Sequence, residues 1–404
     1  RVTSRARPWV FGGIAALVAL VVVFAVVGNG GGSSDAAADS HGHSAGVAIP
    51  VPVSSPLRAG ERFETLGLPE GAYEPTAQNG GTDDYRCFLV DPGLTKKTTL
   101  SGVQVLPDNK AMVHHAILYK VTPEQVADAK KLDAQSPGQG WTCFGGTLIP
   151  APKGTGAIGE LDDAPWLAAW APGGKESVSR TGTGTVLPAG SQIVLQMHYN
   201  LRAGTGTDAS KVQLRLSDKT AGVTPIHTML LPGPVELPCA PGETGLLCER
   251  SNAVADVSQR FGPQSGGTIA GLQLLCGGDP LNPVAGSTQQ CTRPVNRDTT
   301  IWAAAGHMHL LGKSIEIDVN PGTPRAKTVL DIPVWDFDNQ GAKPLAKPVT
   351  LKRGDTVRVR CTHDAKLRSQ LPSLKNTPAR YVVWGEGTTD EMCLGVLVTT
   401  YPKA

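Results

Sequence analysis

Two histidines separated by one residue, His307 and His309 in the run GHMHLLGK, are the side chains best suited to chemistry in this sequence. Side chains on a strand alternate between its faces, so both imidazoles would point the same way and could bind one metal ion. Met392, in the run DEMC, adds a thioether, and this donor set favours a soft ion, best copper(I). The competing interpretation is that one or both histidines are structural, because alternation also fits a half-buried strand. On a strand that directs both histidines to one face, Met308 points to the opposite face, so core packing is its expected role.

A second histidine set lies upstream and contains no sulfur ligand. His114 and His115 are adjacent in MVHHAIL, and His198 lies in LQMHYN. Neighbouring residues of a regular strand face opposite ways, so joint metal binding by His114 and His115 requires a bulge, a twist or different ring nitrogens. Gln196 shares a strand face with His198 and is a candidate for a hydrogen bond to that ligand. The sequence therefore predicts two chemically different copper sites.

The composition predicts an all-β protein of about two domains. The chain has 404 residues with 48 glycines and 32 prolines, and short β-branched runs recur between turn residues. Predicted strands include 102–106, 113–121, 192–199 and 211–216 in a first domain, and 300–312, 314–319, 355–361 and 381–384 in a second. The formal charge of +2 gives no electrostatic case for a nucleic-acid partner.

The N-terminal segment predicts export. Residues 9–28 are uncharged and mostly apolar, and three arginines within residues 1–8 place that short tail in the cytoplasm. A retained membrane anchor is expected, which makes the rest membrane-anchored and extracytoplasmic; a cleaved signal peptide, and hence secretion, is the alternative. Residues 29–58 are expected to be a flexible linker.

Eight cysteines are expected to form disulfides in an exported chain. They are Cys87, Cys143, Cys239, Cys248, Cys276, Cys291, Cys361 and Cys393. Cys361 is the preferred partner of Cys393, because that bond would hold the neighbouring Met392 in place. The region 233–297 is interpreted as loops stapled by the four central cysteines.

The expected domains are residues 59–220, with the three-histidine site, and 221–404, with the His-His-Met site.

Residues 154–159 (GTGAIG) match the dinucleotide-binding pattern G-x-G-x-x-G. Prolines precede the match and ELDDAPW follows, so a loop is predicted there instead.

Taken in order, MVHHAIL, LQMHYN, GHMHLLGK and GEGTTDEMC resemble the copper type II, ascorbate-dependent monooxygenases, the family of peptidylglycine α-hydroxylating monooxygenase and dopamine β-monooxygenase. The resemblance spans most of residues 80–401. It implies two tandem jelly-roll β-sandwich domains, each with one copper ion, facing each other across a solvent-filled cleft. It also implies hydroxylation of a C–H bond with O2, with ascorbate or another one-electron reductant as co-substrate.

Carried over by the resemblance, His114, His115 and His198 look like ligands of the electron-supplying copper. His307, His309 and Met392 look like ligands of the copper at which dioxygen reacts, and so are the expected catalytic residues. The resemblance implies a partner for Cys87 shortly after His198, but this sequence has no cysteine there, so rearranged disulfides are expected, with Cys143 as the alternative partner of Cys87.

Three departures from the family pattern bear on the substrate. Ala305, Leu394 and Val396 stand where peptide-amidating members have an arginine, an asparagine and a tyrosine. Peptidylglycine amidation is therefore not expected, and a small, less polar substrate is. The rival hypotheses are a non-catalytic copper-binding or storage protein, and an adhesion module with vestigial sites.

Overall fold

The structure, a computed structural model, describes residues 54–402. Its described part is built mainly of β-sheets stacked as sandwiches, with few helices. The strands divide into those before residue 226 and those after it, here called the first half and the second half. Both halves belong to one compact unit. The two domain ranges given above therefore stay predictions.

The first half contains eleven strands. They are β1 (Glu61–Gly67), β2 (Asp83–Val90), β3 (Thr98–Leu106), β4 (Val113–Val121), β5 (Trp141–Thr142), β6 (Trp166–Trp170), β7 (Ser177–Val178), β8 (Thr183–Leu187), β9 (Gln192–Asn200), β10 (Lys211–Ser217) and β11 (Thr224–Pro225). One sheet has the order β1-β10-β3-β8-β11, with β7 also paired to β3, and the other has the order β5-β2-β9-β4-β6.

The second half contains ten strands. They are β12 (His227–Pro232), β13 (Glu236–Leu237), β14 (Thr288–Pro294), β15 (Thr299–His307), β16 (Gly312–Val319), β17 (Lys327–Ile332), β18 (Lys343–Leu351), β19 (Thr356–His363), β20 (Val382–Val383) and β21 (Leu394–Thr400). Its sheets have the orders β12-β21-β15-β18, β14-β19-β16-β17 and β13-β20.

Short helices connect the strands. They are α1 (Val126–Asp133), α2 (Ala157–Asp162), α3 (Arg250–Phe261), α4 (Pro263–Leu275) and α5 (Leu367–Gln370), with 3-10 turns at Pro123–Gln125, Leu246–Cys248 and Pro372–Leu374. Among residues 54–402, no helix combines the length and apolar character needed to cross a membrane. The predicted anchor at 9–28 lies outside the described residues.

The strands β4 and β9 are almost wholly buried, which explains their nearly continuous apolar sequences. One face of their sheet packs on the sandwich core around Phe88, Leu118 and Leu195. The other face packs on a smaller cluster that includes Tyr119 and Val194. A sheet covered on both sides is a rigid support for side chains that project from its end.

Two interpretations of the sequence were wrong. Residues 233–297 contain the antiparallel helices α3 and α4, because Ala253, Val257 and Phe261 recur every four residues and bury one helical face. Residues 154–159 run directly into α2, so the predicted loop ends in a short helix. No strand precedes it within residues 143–156, and the rejection of a dinucleotide site is unaffected.

Four disulfides join the eight cysteines. The pairs are Cys87–Cys143, Cys239–Cys248, Cys276–Cys291 and Cys361–Cys393, so the first and last are the pairs that the sequence predicted. Disulfides persist in oxidising compartments, which places the chain outside the cytoplasm.

Candidate metal centre

The adjacent histidines of β4 face the same site because the strand bulges between them. In the β4–β9 ladder, Val113 lies opposite Tyr199 and His115 lies opposite His198, so the register shifts at His114. Two residues of β4 thus share one position on β9, and both imidazoles turn toward His198. The bulge is one of the geometries that the sequence argument required.

The three imidazoles converge through their Nδ1 atoms. Nδ1 of His198 lies 3.0 Å from Nδ1 of His114 and 3.2 Å from Nδ1 of His115. With metal–nitrogen bonds of about 2.0 Å, two nitrogens on one tetrahedral ion lie about 3.3 Å apart. The spacing therefore fits a shared ion, and the ligand atoms of all three histidines lie within 4.8 Å of one another.

A buried carboxylate fixes the orientation of His198. Asp83, on β2, accepts a hydrogen bond from Nε2 of His198 at 2.8 Å and another from the hydroxyl of Thr388 at 2.7 Å. Because Nε2 carries the proton, the lone pair of Nδ1 is directed at the other two histidines. The ring of Tyr85 stacks on His198 with centroids 4.0 Å apart.

Gln196 does not fill the predicted supporting role. Its amide donates to the carbonyl oxygen of Cys143 at 2.9 Å and accepts from the hydroxyl of Tyr119 at 3.3 Å. Both nitrogens of His198 face other partners, so Gln196 anchors the strand behind the site instead.

His307 and His309 do not lie on one strand, contrary to the prediction from the sequence, but their rings still lie close together. Strand β15 ends at His307, and His309 lies in the turn that follows. Their ring centroids are 5.2 Å apart. Met308, between them, is fully buried in the core of the second half, as predicted.

Both of these imidazoles present Nε2 as the available ligand atom. Nδ1 of His307 lies 2.6 Å from Oε1 of Gln340, and Nδ1 of His309 lies 3.2 Å from the carbonyl oxygen of Asp390. Nε2 of His309 is buried with no hydrogen-bond partner in the described structure. An unsatisfied buried polar atom costs about 1–3 kcal/mol. A metal ion would supply the missing partner.

Glu391 shapes the turn that carries His309. This fully buried carboxylate accepts from the backbone N–H of His309 at 2.9 Å and of Leu311 at 2.6 Å, and lies 3.3 Å from Nε2 of His363. Burial raises the pKa of Glu391, but the hydrogen bond and charge of His363 outweigh it and hold that pKa below its usual value. The turn is therefore clamped to the segment just before Met392.

The segment that carries Met392 is fixed by the Cys361–Cys393 disulfide and by pairing of β21 with β15. That ladder places Leu394, two residues after Met392, opposite His307. Met392 itself is buried in the same core cluster as Met308. The backbone carbonyl of Met392 also lies 3.2 Å from Nε2 of His363.

The two histidine sets touch each other. The ring centroids of His115 and His307 are 5.8 Å apart. A solvent-filled cleft between the sets, implied by the family resemblance, does not separate them at this point. The five imidazoles form one cluster across the two halves, and the hydroxyl of Tyr85 closes the boundary by donating to the carbonyl oxygen of Glu386 at 2.7 Å.

Burial keeps four of these imidazoles neutral. It lowers the pKa of His114, His115 and His198, and in the last case Asp83 opposes the effect only partly. Burial also lowers the pKa of His307, to about 3. Neutral imidazole is the form that binds metal, so at neutral pH no proton has to be displaced by an incoming ion.

Ala305, Leu394 and Val396 lie on the strand face that carries His307. Ala305 pairs with Val396, and His307 pairs with Leu394, so all four side chains project to one side of the β15–β21 ladder. Leu394 is buried, whereas Ala305 and Val396 are half-buried. The surface next to His307 is thus apolar.

Comparison with known proteins identifies the second half. Residues 284–403 match the family model described as "Copper type II ascorbate-dependent monooxygenase, C-terminal domain". The matched residues include His307, His309 and Met392. The matched range leaves out His114, His115 and His198.

Other comparisons add nothing to this assignment. The search of curated proteins found no match. Among solved structures, the chain is similar to the major capsid protein P2 from bacteriophage PM2, with 9% identity, a TM-score of 0.29, and 85% of this chain and 98% of that chain covered. It is also similar to an allantoicase, with 10% identity, a TM-score of 0.18, and coverage of 71% and 76%. Similarities this low carry no argument.

Several residues of the centre were missed by the sequence analysis. Asp83, Tyr85 and Glu391 had only a weak signal, because they lie within four residues of Cys87 or Cys393, in the runs DDYRC and DEMC. Gln340 and Phe337 had none, because they lie in a loop with no periodicity.

Proposed function

We propose that this protein is a copper-dependent monooxygenase that hydroxylates a C–H bond of a small organic substrate with O2 and a reductant such as ascorbate. The observation that carries the proposal is the clustering of five imidazoles where the two halves meet, next to the segment that bears Met392. The family of residues 284–403 supports it. In this proposal two copper ions bind, one to His114, His115 and His198 and one to His307, His309 and Met392.

Copper would supply the electrons and the site at which dioxygen is reduced. In the overall reaction one oxygen atom enters the C–H bond, the other leaves as water, and the reductant provides two electrons while two protons are taken up. Three imidazoles suit an ion that cycles between oxidation states, and a thioether stabilises copper(I).

The protein's own side chains prepare the ligands for this chemistry. Asp83 keeps the proton of His198 on Nε2, which leaves Nδ1 free to bind metal. Gln340 keeps the proton of His307 on Nδ1, which leaves Nε2 free to bind metal. Glu391 holds the turn of His309 through two backbone N–H groups. Ligands fixed in advance lose little entropy on binding and hold the geometry during a redox cycle.

The apolar face around Ala305, Leu394 and Val396 supports a weakly polar substrate. It offers neither a guanidinium nor a phenol to hold a carboxylate, in agreement with the expectation from the sequence. We further propose that the two halves are tandem jelly-roll domains. Residues 9–28 would anchor them at the outer side of a membrane, with no nucleic-acid partner.

Incorporation of labelled oxygen tests the function. Copper-reconstituted protein is incubated with ascorbate, 18O2 and a metabolite extract, and products are screened by mass spectrometry for one 18O atom. Met392→Ala should abolish labelled product. Met308→Leu changes a methionine in the core of the second half and should leave the amount of labelled product unchanged.

The same experiment distinguishes a monooxygenase from a copper-storage protein. Full copper loading with no labelled product from any extract would contradict the monooxygenase proposal and favour storage. Loading of less than one ion per chain would contradict both, leaving a binding module with vestigial sites.

A further inference from the structure

The loop between β17 and β18, residues 333–342, contacts both histidine sets. It belongs to the second half, yet Phe337 stacks on His114 of the first half, with ring centroids 4.7 Å apart and planes inclined by 22°. Three residues later, Gln340 contacts His307. Within the described structure this loop therefore joins a member of each set over a span of four residues.

Gln340 determines which nitrogen of His307 carries the proton. Its Nε2 donates to the carbonyl oxygen of Phe337 at 2.7 Å, and a carbonyl can only accept. This bond turns Oε1 toward His307, 2.6 Å from Nδ1. Because Oε1 can only accept, Nδ1 must be protonated, and the lone pair of Nε2 is left for a ligand.

The backbone of the loop also packs closely against Gly173 of the first half. Gly173, in the turn after β6, has φ +77°, and a Cβ atom there would lie 3.0 Å from the carbonyl oxygen of Asp338. A side chain at 173 would push the loop away. The backbone N–H groups of Asp338 and Asn339 donate to the carboxylate and to the backbone carbonyl oxygen of Asp336, and these hydrogen bonds hold the turn in shape.

We propose that residues 333–342 are the positioning element of the metal centre. Gln340 sets the tautomer of His307, and the ring of Phe337 covers His114. The buried Nε2 of His114 has no hydrogen-bond partner in the described part of the chain. Gln340 is a positioning residue, since it acts through His307. This inference rests on the proposed function, because it assigns the loop to the same copper ligands.

The tautomer of His307 can be measured without any metal. Full-length chain labelled with 15N at histidine is freed of metal, and long-range 1H–15N spectra are recorded, with a His307→Gln variant to assign the signals. Wild type should show a protonated Nδ1 and an unprotonated Nε2. Gln340→Leu removes the acceptor at similar size and should shift His307 toward the opposite tautomer. Gln340→Glu keeps an acceptor and should restore the wild-type pattern.

Copper(I) affinity gives a second readout. Gln340→Leu should weaken binding at the His307 site by about 10–100-fold, the usual effect of removing a partner that orients a metal ligand. Val334→Ala, in the same loop but 79% exposed, is the matched control and should bind as wild type does.

An unchanged His307 tautomer in Gln340→Leu would overturn the inference, as would an equal loss of affinity in Val334→Ala. A failure of the proposed function looks different. In that case the wild-type chain would bind no copper, or would bind copper without forming labelled product, while the metal-free spectra would still show the effect of Gln340.

Discussion

Replacing Asp83 by asparagine tests the three-histidine site at the group that orients it. The carboxylate accepts from Nε2 of His198 at 2.8 Å, from the hydroxyl of Thr388 at 2.7 Å and from the hydroxyl of Thr82 at 2.9 Å. Burial raises the pKa of Asp83, but these hydrogen bonds, led by the one from His198, outweigh burial and keep that pKa far below its usual value. At neutral pH the variant therefore removes a full negative charge from a buried position.

The size of the effect follows from these contacts. Loss of a carboxylate behind a ligating histidine typically weakens metal binding 10–100-fold, which corresponds to about 1.4–2.7 kcal/mol. The three hydrogen bonds also change from charge-assisted to neutral, so the free energy of unfolding of the metal-free protein should fall by about 2 kcal/mol. Copper(I) affinity at the Met392 site should not change.

Chelator competition for copper(I), combined with denaturant unfolding, measures both quantities. Asp84→Asn is the matched control, because Asp84 is equally buried but bonds to the hydroxyl of Tyr73 at 2.7 Å and the backbone N–H of Thr76 at 2.9 Å, away from the metal centre. The reasoning is refuted if Asp83→Asn keeps wild-type affinity, or if Asp84→Asn loses as much affinity as Asp83→Asn does.

Three further predictions concern stability. Burial raises the pKa of Glu386 from 4.5 to about 7, so the folded state holds that proton more tightly and stability falls as the pH rises between these values. Glu386→Gln should unfold like wild type at pH 4.5, but at pH 8 it should be more stable by about 1–2 kcal/mol, allowing for partial exposure; equal stability at both pH values would count against this. Removing the Cys361–Cys393 disulfide, which closes a separation of 32 residues, should lower the free energy of unfolding by about 3–4 kcal/mol, and a loss below 1 kcal/mol would argue against it. Asp162→Ala strands the buried guanidinium of Arg293 and should cost about 3–5 kcal/mol in a denaturant titration, whereas a neutral outcome would show that water reaches the site.

Much of the architecture was predictable because strands leave a strong local signal. Strand β4 coincides with the predicted 113–121, and β9 and β10 extend the predicted runs by one residue each. Helix α3 carries an apolar residue at every fourth position, but the glycines, prolines and cysteines around it favoured a loop prediction. Helix α4 contains three glycines and begins with a proline, so its sequence gives little helical signal and its stability comes mainly from packing.

The centre was predictable in its ligand types but not in its support. Histidines at 114, 115, 198, 307 and 309 could be chosen because imidazoles inside apolar strands need a reason to be there. Which groups orient them depends on contacts across long separations, such as the 115 residues between Asp83 and His198. Such contacts leave no periodic trace, so Asp83, Gln340 and the closeness of the two sets emerged only from the structure.

The extra residue in β4 is what directs His114 and His115 to the same site. Deleting one residue there should restore an unbroken ladder with β9, and one of the two imidazoles would then turn to the opposite face of the sheet. Point substitutions can weaken the three-histidine site by degrees, but this single deletion should leave a folded chain that no longer brings the three imidazoles together.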